Sequence, residues 1–306
     1  MRLNKYLLRG VSVDEGRKYE FRCPVHGFIQ VDAWERDIIA QPAFQRLRRI
    51  RQLAWTDYIY PGAMHTRFEH SLGVMHIATR LFDAIRERSK DVLTKDLSYN
   101  EDGLRRSRRL VRFTALLHDV GHGPFSHASE ELFPFLPGSS TKKYEHDTHY
   151  SAEIIRQEFK SVINDNSFNQ ANYNITADQI ASLIEGSTEA GNAVFWRELI
   201  SGQMDADRMD YLLRDSLHAG VQYGRYDLER LINTIVAVRM EDQAPRLGVS
   251  EGGGHAAESL ILARYFMFTQ VYFHRTRMAY DHHIFKALQA MLPDGLFPVP
   301  VGKDLK

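Results

Sequence analysis

The chain has 306 residues, of which 43% are hydrophobic and 25% are charged, as in proteins that fold around a sizeable core. Its 39 basic and 39 acidic residues cancel, so the net charge points to no particular partner. A single cysteine excludes an intramolecular disulfide and fits a reducing cytoplasm. No apolar run reaches the roughly 18 residues that a membrane span needs, so we expect a cytoplasmic protein that does not enter a membrane.

The spacing of apolar residues predicts a mostly helical chain. The clearest segment is 66–88, where Val74, Ile77 and Leu81 fall on one face. Residues 235–249 alternate in polarity and predict a small β-hairpin. We therefore expect an all-α fold with one β excursion. In chain order, helices are predicted over 34–41, 43–54, 66–88, 104–119, 126–132, 146–160, 177–185, 194–201, 205–218, 227–235 and 256–291.

No Pro-, Gly- or Ser-rich linker divides the chain, so we predict a single domain over residues 1–306. Its core is expected to cover about 20–290. Residues 293–306 are rich in Pro and Gly, and we expect them to form a loose tail or the start of a truncated C-terminal region.

An unusual feature is the number of histidines, which is 14. In the central motif, an apolar run ends in the adjacent pair His118 and Asp119. Gly121 follows at once, so the backbone can turn sharply and leave the pair accessible. A histidine beside a carboxylate is typical of a first-row metal site, because nitrogen and oxygen ligands suit those ions.

His70 and Arg67 lie one turn apart on the inward face of segment 66–88. A lone inward histidine is usually a core residue bonded to a carbonyl. An inward arginine beside it is harder to explain by packing, because an unpaired buried charge is costly. An anion bound between the two side chains accounts for both residues.

Asp207 begins a polar stripe on segment 205–218, which Asp210 and Tyr211 continue. A solvent-facing ladder of ion pairs would favour Lys and Glu over the Tyr and His found here. We therefore add Asp207 to the candidate ligands. These are His70, His118, Asp119 and Asp207. The set leaves coordination positions open for water and a phosphate oxygen, and suits a divalent ion such as Mn, Mg, Fe, Ni or Zn.

The order His70, then His118 with Asp119, then Asp207 resembles the HD-domain metal phosphohydrolases. The similarity is closest to the dNTP triphosphohydrolase branch, with the bacterial dGTPase-like enzymes and the animal sterile-alpha-motif-linked HD enzyme. It covers about residues 20–285. The motifs that carry it are Phe44 to Arg48, Tyr60 to Ala63, Thr66 to Gly73, His118 to His127 and Asp205 to Tyr211.

The resemblance implies a mainly helical HD-domain fold and a role for each matching residue. The metal ligands would be His70, His118, Asp119 and Asp207. The proton transfers at the attacked phosphate would involve His122, Glu130 and His146. The substrate would be bound by Arg67 and Arg208 at the phosphates, by Gln52 and Leu53 near the sugar, and by His127, Tyr211, Asp215, His274 and Tyr280 around the nucleotide.

The reaction implied by the family is hydrolysis of a dNTP to the deoxynucleoside and inorganic triphosphate, with water attacking the α-phosphorus. The expected partners are a dNTP substrate, a nucleotide activator and further copies of the chain in a homo-oligomer. Two positions depart from the pattern of the family. Cys23 stands where relatives often have Asp, and Asp147 stands where they have Glu.

Two other interpretations stay open at this point. The chain could be an HD phosphohydrolase for another phosphoester, such as a nucleoside monophosphate, a cyclic nucleotide or a modified nucleotide. Alternatively, it could be a nucleic-acid-binding module with a vestigial metal site and weak affinity for single strands. The second interpretation depends on two arginine clusters, formed by Arg46, Arg48, Arg49 and Arg51 and by Arg105, Arg106, Arg108, Arg109 and Arg112.

Overall fold

The computed structural model describes residues 18–241 and 243–300. These residues form a mainly helical fold with two antiparallel hairpins. The strands are β1 (Tyr19–Cys23), β2 (Gly27–Val31), β3 (Ile235–Met240) and β4 (Gln243–Val249). The helices are α1 (Ala33–Ile39), α2 (Pro42–Gln45), α3 (Arg67–Arg88), α4 (Glu101–Leu117), α5 (Ser151–Glu158), α6 (Lys160–Asn164), α7 (Ser167–Asn172), α8 (Ala177–Glu185), α9 (Val194–Arg197), α10 (Ala206–Ala219), α11 (Leu228–Thr234), α12 (Gly254–Met267) and α13 (Arg275–Met291).

Helix α3 is the centre of the fold and packs against α4, α10 and β3. Its predicted inward face is fully buried at Val74, Ile77 and Leu81. At its N-terminus the Glu69 carboxylate accepts a hydrogen bond from the backbone nitrogen of Thr66 (3.3 Å), which caps the helix. The packing of α4 and α10 on α3 brings the three predicted ligand-bearing segments together.

The mainly helical fold and the hairpin near 235–249 are confirmed. Helices α3, α4, α8, α10 and α11 lie within three residues of the predicted segments. Helices α4, α10 and α11 pack against α3, and α8 packs against α4. The remaining predicted segments are shorter than expected or are divided.

Two predicted helices are wrong in part. Segment 43–54 is helical only as far as Gln45, continues as a 3₁₀ turn over Arg46–Arg49, and then forms a β-bridge from Arg51 to Thr66. Segment 256–291 divides into α12 and α13, with a π-helical turn over Phe268–Tyr272 between them. The His274 side chain accepts a hydrogen bond from Thr276 N and so begins a new helix there.

Other segments also differ from the prediction. Ser126–Leu132 is a 3₁₀ helix, and segment 146–160 begins with a π-helical turn before α5. Segment 194–201 is helical only through Arg197. The β1–β2 hairpin was not predicted, although Tyr19, Phe21 and Cys23 alternate with polar residues.

The segment after α13 contacts the rest of the fold at two backbone positions. Phe297 N donates to Leu132 O (3.0 Å), and the Tyr150 hydroxyl donates to Pro298 O (2.7 Å). Residues 301–306 of the predicted tail lie outside the described residues. Among the described residues, no helix combines the length and hydropathy needed to cross a bilayer.

Candidate metal centre and cavity

Three helices bring together the side chains of a metal cluster, which we define as His70, His118 and Asp207. His70 lies in the first turn of α3, His118 directly follows α4, and Asp207 lies in the first turn of α10. Their candidate ligand atoms lie within 4.8 Å of one another. Three of the four predicted ligand residues, which are far apart in sequence, therefore lie together as a set of two imidazoles and one carboxylate.

A glycine next to the His-Asp pair is required by close backbone packing. A Cβ atom at Gly121 would lie 2.1 Å from His146 O and 2.3 Å from Ser151 N. Ser151 Oγ also accepts a hydrogen bond from Gly121 N (2.8 Å) and donates one to His118 O (2.6 Å). The turn after α4 is thus fixed against the start of α5, which holds His118 in place.

The two histidines of the metal cluster are suited to bind a divalent cation. His70 Nε2 lies 3.0 Å from Asp207 Oδ1, and His118 Nε2 lies 3.8 Å from the same oxygen. Both imidazoles are buried, and in spite of the nearby Asp207 oxygen neither Nε2 atom makes a hydrogen bond of good geometry among the described residues. Buried polar atoms without partners are unusual, and a shared cation would satisfy both of them.

Asp119 lies at the border of the metal cluster. One of its oxygens forms an ion pair with Arg67 Nη1 (2.6 Å), and the other lies 3.4 Å from His118 Nε2. Burial opposes ionisation, but the Arg67 guanidinium and the neighbouring histidines lower the pKa of Asp119 to about 2. Asp119 is therefore ionised and can be shared between Arg67 and a cation.

The charges around the two histidines favour a positive charge in the cluster. Burial opposes protonation of His70, but the carboxylates of Asp207 and Asp210 raise its pKa to about 10. The same balance between burial and the carboxylates of Asp119 and Asp207 raises the pKa of His118. A group of buried carboxylates that stabilises imidazolium will also stabilise a metal cation.

Next to the metal cluster is a histidine cluster, formed by His122, His127 and His146, whose ring nitrogens lie within 4.8 Å of one another. Glu130 Oε1 lies 2.5 Å from His127 Nδ1 and 3.4 Å from His146 Nδ1. Burial and the nearby His127 and Arg67 lower the pKa of His146 to about 3, and burial with Arg67 lowers the pKa of His122 well below its usual value. Both imidazoles are therefore neutral at pH 7, and an imidazolium formed at either position would readily donate its proton.

Both clusters face one cavity of about 840 Å³, a volume that suits a small-molecule ligand. Eleven of the predicted site residues line it: Gln52, Leu53, Arg67, His118, Asp119, His122, His127, Glu130, Asp207, Tyr211 and Asp215. His70 and His146 lie directly behind this lining, in contact with Asp207 and Glu130. The opposite side is an outer wall from the α12–α13 region, formed by Phe268, Phe273, Met278 and Phe285.

Three predicted substrate-binding residues are not among those that line the cavity. Arg208 pairs with the buried Asp205 carboxylate (2.6 Å). His274 caps α13, and Tyr280 stacks on Tyr58 with ring centroids 4.9 Å apart. Because α12 and α13 are separate helices, the inward face expected for one continuous helix over 256–291 does not apply to α13.

Sequence reasoning missed several residues that complete the site. Tyr272 donates a hydrogen bond to Asp215 Oδ2 (2.7 Å), and His65 Nε2 lies 2.7 Å from Asp215 Oδ1. Asp210 contacts the far side of His70. Asp210 lies on the predicted polar stripe of α10, so its spacing was a usable signal. Nothing in the local sequence singled out Tyr272 or His65.

The two arginine clusters are used mainly inside the fold. Arg46 donates to the carbonyls of Val120 and His122, and Arg109 and Arg112 pair with the buried Glu35. At least eight of the nine arginines have an intramolecular partner: Arg46, Arg48, Arg51, Arg105, Arg106, Arg108, Arg109 and Arg112. Carboxylate partners offset the charge of five of them, which weakens the binding-module interpretation. These five are Arg51, Arg105, Arg108, Arg109 and Arg112.

Comparison with known families agrees with this geometry. The HD domain family matches residues 67–215, which contain the metal cluster and the histidine cluster. The chain therefore contains an HD domain over these residues. The HD associated region matches residues 226–297, which include β3, β4, α12 and α13. The predicted resemblance to HD-domain proteins is confirmed, and the four predicted metal ligands, His70, His118, Asp119 and Asp207, lie inside the matched segment.

Individual relatives show the same similarity. The chain is 36% identical over 258 residues to the uncharacterized Bacillus subtilis protein YwfO, covering 83% of this chain and 51% of YwfO. It is 30% identical over 253 residues to human deoxynucleoside triphosphate triphosphohydrolase SAMHD1, covering 76% of this chain and 38% of that protein. The chain spans about half the length of the first curated relatives it matches.

Among solved structures, a hypothetical protein from Aquifex aeolicus has a similar fold. The TM-score is 0.70 at 32% sequence identity. The match covers 90% of this chain and 65% of the Aquifex chain. The similarity therefore extends well beyond the HD segment of residues 67–215.

Proposed function

We propose that the chain is a metal-dependent phosphohydrolase that converts a dNTP into a deoxynucleoside and inorganic triphosphate. One observation carries the proposal: a cation-binding cluster, the Arg67 guanidinium and two neutral histidines converge on one cavity. The choice of a dNTP is supported by the family resemblance and by the similarity to proteins named deoxynucleoside triphosphate triphosphohydrolase from human, frog and Dictyostelium.

The metal cluster, with Asp119 at its border, would hold the divalent ion. A mixed set of imidazole and carboxylate ligands suits Mn, Mg, Fe, Ni or Zn. When bound, such an ion lowers the pKa of a coordinated water and polarises phosphorus–oxygen bonds. Asp207 is 35% exposed on the side of the cavity, so the cluster is accessible to water and to a phosphate.

Arg67 would neutralise the phosphates. It is buried, pairs with Asp119, donates to Ser126 Oγ, and lines the cavity. Its Nε atom has no hydrogen-bond partner in the described chain. A guanidinium fixed on two sides stays in one orientation, so its charge is available without reorganisation when the phosphate becomes more negative in the transition state.

His122 and His146, with Glu130, would move the proton. In the proposed reaction, water forms a bond to the α-phosphorus and the bond from that phosphorus to the nucleoside 5′-oxygen breaks. A neutral imidazole accepts the proton that the water loses, and the resulting imidazolium protonates the leaving 5′-oxygen. Ring nitrogens of His122 and His146 lie within 4.8 Å of one another, so both imidazoles can reach the same phosphate.

The sugar would bind beside Gln52 and Leu53. The buried Gln52 Oε1 atom has no hydrogen-bond partner among the described residues, so it can accept from a sugar hydroxyl. Leu53 offers no polar atom, so a 2′-hydroxyl next to it would lose its hydrogen bonds to water, which disfavours a ribonucleotide. Asp215, held by Tyr272 and His65, supplies a second acceptor on the cavity surface.

The test is to incubate the purified chain with each of the four dNTPs and Mn²⁺ or Mg²⁺, and to separate the products by ion-pair chromatography. We expect a deoxynucleoside and inorganic triphosphate in equal amounts. The experiment is repeated with a mixture of all four dNTPs, which supplies any activating nucleotide. Release of pyrophosphate or monophosphate, or no turnover in either format by metal-loaded protein, would overturn the proposal.

Homo-oligomer formation and nucleotide activation stay predictions of the family resemblance. Both are measurable on one sample by light scattering after size exclusion, with and without dNTPs. We expect more than one copy per particle, and an increase in assembly when nucleotide is present. A monomer under all conditions, with full activity, would contradict both predictions.

A further inference from the structure

The turn between β1 and β2 reaches the metal centre from outside both matched family segments. His26 lies in this turn, before the HD segment begins at residue 67. Its side chain is only 2% exposed, and Nε2 lies 2.6 Å from Asp210 Oδ1. The following Gly27 has a φ of +76°, which lets the turn close tightly enough to direct His26 inward.

Asp210 is a fully buried carboxylate whose two oxygens each have two partners. Oδ1 accepts from Arg214 Nη2 (2.8 Å) and contacts His26 Nε2. Oδ2 accepts from Arg214 Nε (2.7 Å) and contacts His70 Nδ1 (2.8 Å). The Arg214 pair balances the buried charge, so Asp210 can act as a fixed acceptor for both imidazoles.

The contact with Asp210 determines which nitrogen of His70 faces the metal cluster. When Nδ1 carries the proton and donates it in the hydrogen bond to Asp210, the lone pair of Nε2 is free to bind a cation. In His118, the backbone carbonyl of Ala115 takes the equivalent place at Nδ1 (2.7 Å). The two metal-facing histidines are therefore oriented by different acceptors: one by a neutral carbonyl, the other by a charged carboxylate that His26 also contacts.

The fold makes room for this arrangement at Gly73. A Cβ atom at Gly73 on α3 would lie 1.9 Å from Asp210 Oδ1 and 2.5 Å from Arg214 Nη2. Any side chain at this position would push the carboxylate away from α3, the helix that carries His70. The close approach of Asp210 to α3 is therefore built into the packing of α10.

We propose that Asp210 and His26 are positioning residues of the metal centre. Asp210 fixes the orientation and proton of His70, and His26 fixes Asp210, so the β1–β2 hairpin becomes part of the metal site. The proposal rests on the metal role of His70 in the proposed function. A carboxylate behind a ligating histidine also makes the imidazole a stronger donor, which raises metal affinity.

The test is Mn²⁺ affinity, measured by calorimetry on the full chain. We expect Asp210→Asn to weaken binding by about 10- to 100-fold, and His26→Gln to weaken it by about tenfold or less. The matched control is His76→Gln. His76 contacts the ring of His26 with centroids 5.4 Å apart but is not a partner of Asp210 in the described structure, so we expect a change within about twofold.

Asp210→Asn also removes the closer of two carboxylates that pair with the buried Arg214 and leaves Glu69 Oε2 at 3.2 Å, which can prevent folding. Thermal unfolding of each variant is therefore recorded first. If Asp210→Asn does not fold, the Mn²⁺ affinity of His26→Gln alone decides the test. A double variant adds a second criterion. If His26 acts through Asp210, His26→Gln will have no further effect in the Asp210→Asn background.

The outcomes separate this inference from the proposed function. Folded His26→Gln and Asp210→Asn proteins that bind Mn²⁺ as tightly as the wild type would overturn the positioning role. A wild-type chain that binds Mn²⁺ but hydrolyses no dNTP would overturn the proposed function, while weakened Mn²⁺ binding by the variants would still support the positioning role.

Discussion

The cavity has two sides that are built in different ways. On one side, the metal cluster comes from regular helices, and its imidazoles are buried and fixed by Asp210 and by the Ala115 carbonyl. On the other side, the outer wall comes from a helix that is broken at Phe268–Tyr272. Its side chains are partly open, with Phe273 60% exposed and Met278 46% exposed.

The difference indicates that catalysis depends on the metal side of the cavity and that binding of the nucleoside depends on the outer wall. Chemistry at phosphorus requires fixed geometry, and the buried ion pairs around the metal cluster provide it. The outer wall has few polar contacts and more exposed apolar side chains, so it can adapt to the shape of a nucleoside. We expect changes at the metal cluster to abolish turnover, and changes at the outer wall to alter substrate affinity.

The largest effect is expected for Asp207→Ala at the metal cluster. Loss of this carboxylate should remove the bound metal and lower kcat/KM by on the order of 10³-fold or more, while the fold persists. Metal content and dNTP turnover are measured on the same sample. Glu131→Ala is the control, because Glu131 is an exposed carboxylate that lines the same cavity. Full activity of metal-depleted Asp207→Ala would exclude this site.

Arg67→Ala should separate phosphate binding from metal binding. We expect kcat/KM to fall by on the order of 10²- to 10³-fold, because the transition state loses its guanidinium. Metal content should stay close to that of the wild type, since Arg67 is not in the metal cluster. Loss of the metal, with normal substrate use after reconstitution, would contradict the phosphate role.

Gly73→Ala tests how tightly the metal side is packed. The new Cβ would lie 1.9 Å from Asp210 Oδ1, so we expect the free energy of unfolding to fall by about 1–3 kcal/mol or more. Gly254→Ala is the matched control, because no described atom lies within 4 Å of a Cβ placed there. Denaturant unfolding measures both. Equal stability of the two variants would show that α10 is not held against α3 as described.

Tyr272→Phe should affect substrate affinity more than catalysis. It removes the hydrogen bond to Asp215, so we expect KM for a dNTP to rise by about 2- to 12-fold with little change in kcat. Steady-state kinetics with the preferred dNTP measures the two terms separately. A fall in kcat at constant KM would move Asp215 into the chemical step and weaken the division between the two sides of the cavity.

The smallest effects are expected for His274→Ala and Tyr280→Ala. His274 caps α13, and Tyr280 stacks on Tyr58 outside the cavity lining. We expect KM to stay within about twofold of the wild type for both variants, after correction for any loss of folded protein. A tenfold rise in KM would show that the outer wall rearranges when substrate binds and brings these side chains into the cavity.

The same contrast explains what could be predicted from sequence. The approach of His70, His118 and Asp207 was predictable because they lie in, or directly after, helices whose apolar spacing indicates the inward face. His274 and Tyr280 were assigned to the pocket from the family resemblance, on a segment predicted as one helix over 256–291, and neither lines the described cavity. The cap at His274 and the π-helical turn before it change which residues of α13 face the cavity. Both features depend on tertiary contacts, which apolar periodicity does not report.

The polar contacts that orient the metal-cluster residues could not be predicted in full from the sequence. Asp210 shares the stripe of Asp207, so its inward direction could be inferred. Its contact with His26 depends on the β1–β2 hairpin folding across α3, a contact between residues 184 positions apart. The partners of the arginine clusters were not predictable either. The sequence left an anion-binding surface open as an alternative, whereas Arg109 and Arg112 pair with Glu35 and Arg46 donates to backbone carbonyls.

The most direct test of the account is to run the reaction in water enriched in the heavy oxygen isotope. Metal-loaded protein is incubated with its preferred dNTP, and both products are weighed by mass spectrometry. Attack of water on the α-phosphorus predicts one heavy oxygen in the inorganic triphosphate and none in the deoxynucleoside. Heavy oxygen in the deoxynucleoside, or in a pyrophosphate or monophosphate product, would contradict the account.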